Sequence, residues 1–168
     1  MNTIIQALLD RRSIRKYKTA PVDKEQIDTL LQAAFYAPSS KNIHPCHFIV
    51  IDDKETLNSF NAFHVSAKMF DTAPLAIIVC GDAAEAWATW RDDCASASAN
   101  ICNAAHALGL GSCWCGLYPR DARVDGMKAA LKLPGHIMPY SMIVIGHPDE
   151  VKSRPERNLA HKVHINKW

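Results

Sequence analysis

Apolar residues run along this chain in three patterns: helical spacing, short unbroken runs and terminal patches. Ile4, Ile5, Leu8 and Leu9 share one face of a short amphipathic helix predicted over residues 3–10. Asp23 is a suitable N-cap for a helix over 24–36, with Ile27, Leu30, Leu31, Ala34 and Phe35 on one face and Pro38 as its stop. Residues 39–45 form a polar loop closed by Pro45, and a strand is expected over 47–51. Residues 54–62 and 64–71 read as short helices. Residues 74–80 are an apolar run suited to a strand buried on both faces. An Ala-rich helix is predicted over 83–108, with a break candidate near Asp92. Its small residues suit close approach of another helix and a dimer face.

Gly109-Leu110-Gly111 ends that helix. Residues 112–117 read as a short strand or loop, and Asp121 or Asp125 caps a helix ending near Leu133. Pro139 opens a strand over 140–145, which Gly146-His147-Pro148 ends. The tail 149–168 is polar and basic but finishes in Ile165 and Trp168, so it is expected to dock, a second subunit being one such surface. Helices and strands alternate without strict βαβ order, so the class expected is α+β, in a single domain over residues 1–168. No repeat, linker or low-complexity segment interrupts it.

Composition narrows the function. The 168 residues are 48% hydrophobic and 21% charged, with net charge +2, which leaves no large basic field for nucleic acid. No apolar run reaches membrane-spanning length. The N-terminus lacks the pattern of an export signal, so a cytoplasmic address is expected. Six cysteines without a C-x-x-C pair fit buried thiols in a reducing compartment better than a zinc site or a disulfide framework.

Candidate chemistry lies in three stretches. Arg11-Arg12-Ser13-Ile14-Arg15-Lys16-Tyr17 gathers guanidinium, ammonium and hydroxyl donors that suit a phosphate, although basic groups at a helix end also satisfy the helix dipole. The loop 38–45 offers Ser39, Ser40, Lys41, Asn42 and His44 to a heteroaromatic edge or a polyol, or is simply a capped turn. Gly109 to Gly116 allows close backbone approach to a ligand, or is a helix cap and tight turn. Gly-x-Ser-x-Gly, H-E-x-x-H, the P-loop and a Rossmann glycine turn are absent. Polar binding loops with few acid/base groups point to a protein that leaves the reaction to a cofactor.

In order and spacing these stretches resemble the small, single-domain members of the nitroreductase family of FMN-dependent oxidoreductases. The resemblance runs from about Ile4 to Trp168. It rests on residues 11–17, on Ala37-Pro38-Ser39-Ser40-Lys41-Asn42-Ile43-His44-Pro45 with its following strand, on Ala73-Pro74, on residues 109–114 and on Ile145-Gly146-His147-Pro148. It implies a mostly antiparallel sheet flanked by helices, in an intertwined homodimer with FMN at the subunit interface. Arg11, Arg12, Ser13 and Arg15 match the FMN-contacting segment, and Arg157, with Arg154 a second, matches a late phosphate-binding arginine. Ser39, Ser40 and Asn42 match the loop that reaches the flavin from the other subunit. Lys68 matches a lysine near the pyrimidine edge. Cys115 and Gly116 match the backbone beside the flavin N5. His44 and Cys46 depart from the family, which often has Gln and Trp there.

The activity implied is ping-pong transfer of hydride from NADH or NADPH through FMN to nitroaromatic or quinone acceptors. Ene reduction, dehalogenation, or flavin and thiol redox sensing with little turnover are the alternatives.

Overall fold

The computed structural model describes residues 3–157 and 159–168; residues 1, 2 and 158 of the predicted domain lie outside the described part. The strands are β1 (Cys46–Ile51), β2 (Leu75–Asp82), β3 (Gly111–Gly116) and β4 (Ile137–Gly146). They form one antiparallel sheet in the order β1-β2-β4-β3. The helices are α1 (Thr3–Asp10), α2 (Lys24–Phe35), α3 (Lys54–Ser59), α4 (Trp90–Ala107) and α5 (Asp121–Leu131). The class is α+β.

The two central strands carry the core because strand alternation sends their side chains to both faces. Ile77, Val79, Ile143 and Ile145 turn toward α2 and α4, packing with Leu30, Trp90 and Ile101. Ala76, Ile78, Met142 and Val144 turn the other way, under Leu57, Phe60, Phe70 and Met127. Each large side chain so buried contributes about 1.5–3 kcal/mol. The run 74–80 is therefore apolar throughout because helices cover both faces. Ser98 of α4 and Ser141 of β4 pair their buried hydroxyls at 2.8 Å, and Ser98 also bonds the Cys94 carbonyl.

Several elements differ from the sequence reading. α4 starts at Trp90 rather than residue 83, because Asp82 accepts the N–H groups of Ala84 and Glu85 at 2.8 and 3.0 Å and folds the chain into a turn. Pro139 does not open β4 but sits inside it. Val79 faces Ser141 while Cys80 faces Pro139, so Tyr140 is the extra residue of a bulge, where a proline without N–H is tolerated. The stretches Phe60–Ala62 and Val65–Asp71 are 3-10 turns rather than α-helix. Asp121 is the first residue of α5, with Arg120 at the flanking position.

The segment after α1 lies along the outer edge of β3. Ser13 bridges Ser112 in parallel, with the Ile14 N–H on the Ser112 carbonyl at 2.9 Å, and Tyr17 bridges Pro148. The approach is tight: a Cβ at Gly111 would lie 2.9 Å from Ile14. Only glycine lets the two segments meet here.

Candidate functional site

Four arginines from opposite ends of the chain line one cavity. Arg11 and Arg12 stand at the end of α1, Arg154 and Arg157 in the tail, and together with Leu8, Leu9, Pro155 and Glu156 they enclose about 470 Å³. Their roles differ. Arg12 is a clamp: its guanidinium donates to the carbonyls of Leu9, Arg11 and Ser153. It thereby ties the tail to α1. Arg154 pairs with Asp10 at 3.6 Å. Arg11 and Arg157 make no side-chain hydrogen bond or ion pair with the described residues, which leaves both forks to an incoming ligand. A concave site with several guanidinium forks and one carboxylate fits a phosphate ester. Ser13, half-buried beside it, accepts Lys152 Nζ on its carbonyl at 2.8 Å. Arg15 is exposed and does not line the cavity.

The edge of β3 supplies the second component. Because the Ser112 carbonyl bonds outward to Ile14, ladder alternation turns the backbone of Ser112, Trp114 and Gly116 outward and that of Cys113 and Cys115 toward β4. Gly116, not Cys115, therefore offers its N–H at the edge. The Cys115 side chain is buried in the core. The Gly116 carbonyl is fixed from two sides, by Arg123 Nη1 at 2.8 Å and by His64 Nε2 at 3.3 Å.

His64 is buried, and its Nδ1 accepts the Ser66 N–H at 3.1 Å. Nε2 therefore carries the proton of a neutral ring. Burial, then the Arg123 charge, hold its pKa below the ordinary histidine value, against the bond to Gly116. The unfolded chain thus takes up this proton before the folded one does. Stability present above the ordinary histidine pKa is lost as pH falls below it, and a His64→Asn variant is expected to lose that part of the slope. Thermal melts between about pH 7 and pH 5 measure it.

The loop 39–45 forms a third, separate component. Asp93, buried in the first turn of α4, accepts Ser39 Oγ at 2.7 Å and the Ser40 N–H at 3.0 Å. Ser39 Oγ accepts the His44 N–H at 2.9 Å, and Asn42 Oδ1 meets His44 Nε2 at 2.8 Å. Lys41, Asn42 and His44 all have left-handed backbones, with φ of 53°, 56° and 57°. Asn tolerates this; for Lys and His it costs roughly 1–2 kcal/mol each. Asp93 holds the loop in that costly shape.

Within one chain, Ser39 and Asn42 line different cavities from Arg11 and Arg157. Lys68 is exposed in the Val65–Asp71 turn and lines none of the cavities described here. Sequence reasoning missed Asp93, His64 and Arg123. Asp93 has no local mark beyond its place next to Asp92 in a helix's first turn, and nothing local marks the other two, whose shared partner Gly116 is 52 and 7 positions away.

Comparison with known proteins gives the family and the fold. The Nitroreductase family model matches residues 8–65 and 59–147. A protein of Methanothermobacter thermautotrophicus, provisionally named NADH dehydrogenase/NAD(P)H nitroreductase, is 40% identical over 98% of this chain and 87% of its own length. The structure of an FMN-dependent nitroreductase from Clostridium difficile R20291 superposes with a TM-score of 0.92 at 36% identity, covering 98% of this chain and 99% of that one. A provisionally named nitroreductase from Desulfovibrio desulfuricans, solved in complex with FMN, gives 0.86 at 28% identity over 100% and 99% of the two chains. Sequence and backbone agree along nearly the full length, and the chain belongs to the nitroreductase family.

Proposed function

We propose that this chain is an FMN-dependent NAD(P)H oxidoreductase that acts as a homodimer and passes reducing equivalents to nitroaromatic or quinone-type acceptors by a ping-pong scheme. The convergence of Arg11 and Arg157, both unpaired among the described residues, on one cavity with Arg12 and Arg154 carries this reading. Arg11 and Arg157 would hold the phosphate, with Arg12 framing them and Ser13 beside them. The outward N–H of Gly116 would meet the ring edge. Lys68 would supply positive charge toward the pyrimidine edge, and Ser39, Ser40 and Asn42 would approach from a second copy. Bound FMN would supply hydride acceptance from a reduced nicotinamide and two-electron delivery to the acceptor. The protein's share is orientation and charge: fixed donors stabilise negative charge without reorganising.

Uncovered apolar surface supports the dimer. Ile4, Ile5, Leu8 and Leu9 of α1 are 68, 47, 47 and 37% exposed, and Val163, Ile165 and Trp168 of the tail 68, 82 and 102%. So much apolar surface at both chain ends is the mark of a protein interface. It would also explain how the 39–45 loop, remote from the arginines in one chain, completes a site on another.

Purified protein is expected to be yellow, to sediment as a dimer, and to bleach anaerobically with NADH or NADPH. Parallel double-reciprocal lines with a nitroarene or a quinone are the ping-pong signature. Colourless protein that stays colourless with added FMN would overturn the cofactor assignment, and a monomer would overturn the shared site.

A further inference from the structure

A sulfur pair lies beside a second cavity, apart from the arginine cavity within one chain and bordered by Ser39 of the 39–45 loop. Cys46, half-buried at the start of β1, has its Sγ 3.7 Å from Sγ of Cys94, which is fully buried in the first turn and a half of α4. Cys46 lines a cavity of about 250 Å³ with Phe35, Phe48, His44, Asp93 and Ala97. A cavity of that size has ample room for a molecule as small as hydrogen peroxide. The two residues come from segments 48 positions apart in sequence, so only the fold brings them together. The other close pair, Cys113 and Cys115, is buried on the opposite face of the sheet and lines no cavity described here.

We propose that Cys46 and Cys94 form a peroxide-reactive dithiol, Cys46 being the residue attacked from the cavity and Cys94 the resolving thiol. The first step forms a sulfur–oxygen bond at Cys46 as the peroxide O–O bond breaks; the released hydroxide takes a proton and leaves as water. Cys94 sulfur then attacks Cys46 sulfur. The S–S bond forms, the S–O bond breaks, and the hydroxyl leaves as a second water with the Cys94 proton. Two thiols lose two electrons to one hydrogen peroxide. The division of labour follows from the site. Cys46 is half-buried and lines the cavity, whereas Cys94 is fully buried and does not. The sulfur–sulfur contact lowers the Cys46 pKa against burial and the Asp93 charge, while the same contact and burial raise that of Cys94. Closing the gap from 3.7 Å to a bond of about 2.05 Å draws the start of β1 toward α4, and the cavity gives it room. The cross-link would tie β1 to the turn of α4 where Asp93 anchors the 39–45 loop. This proposal goes beyond the flavin reading and does not depend on it.

The test treats reduced, full-length protein with stepwise hydrogen peroxide, caps remaining thiols with N-ethylmaleimide and maps peptides without reduction. The expected result is a fall from six free thiols to four, a single Cys46–Cys94 linked peptide within one chain, and full reversal by dithiothreitol. In Cys94→Ser the product should instead be a dimedone adduct on Cys46; Cys46→Ser should keep its remaining thiols. Six thiols unchanged by peroxide, loss of thiols without the 46–94 peptide, or cross-links only between chains would each overturn it. Because wild type carries the mapping, an unfolded variant leaves the test intact.

Discussion

Replacing Arg11 and Arg157 together by alanine is expected to give a folded protein that no longer retains FMN. Neither side chain makes a hydrogen bond or ion pair with the described residues, so their removal takes nothing from the apo fold. Each would make charge-assisted bonds to the phosphate worth about 1.5–3 kcal/mol, which places the loss for the pair at about a hundredfold or more in affinity. Arg12→Ala is expected to behave differently. It frees Ser153 and the end of α1, so it should lower the melting temperature as well as the affinity. Flavin fluorescence titration with circular dichroism on the same samples separates the cases. A double variant that holds FMN as tightly as wild type would place the phosphate elsewhere.

Asp93→Ala is the second large change. It strips the Ser39 hydroxyl and the Ser40 N–H of their shared acceptor and releases three left-handed residues from the contacts that hold them. Losing two bonds to a buried carboxylate is expected to cost about 3 kcal/mol, or roughly 6–12 °C in melting temperature for a chain of this size. Function should suffer further, because a loop that relaxes to ordinary backbone angles presents Asn42 and His44 in other directions. Asp93→Asn keeps one acceptor and should fall between. A melting temperature unchanged in Asp93→Ala would show that the loop holds its shape unaided.

These two cases mark what the sequence made legible and what it did not. Arg11 to Tyr17 stood out because cations and hydroxyls crowd into a few positions, and Arg157 because the resemblance pointed to it. The apolar run of β2 was readable because burial on both faces leaves one composition. Asp93 was hidden. Its task is set by Ser39, 54 positions away, and an acid in a helix's first turn has a sufficient local explanation in the helix dipole. The strand position of Pro139 was hidden for a related reason: a bulge depends on the partner strand's register, which no local pattern encodes. The distinction between Cys115 and Gly116 at the edge of β3 likewise follows from one bond between Ile14 and Ser112.

The clamp from Arg12 to Ser153 joins residues 141 positions apart, and the arginine cavity draws its walls from the same two chain ends. The last strand of the sheet ends at Gly146. During synthesis the hydrophobic core can therefore close while the cavity still lacks one side. The long closure is deferred until the tail has left the ribosome. Were FMN held in that cavity, its capture would wait on this closure. A ligand seated there would add its binding energy only to molecules in which residues 8–12 and 153–157 had already met.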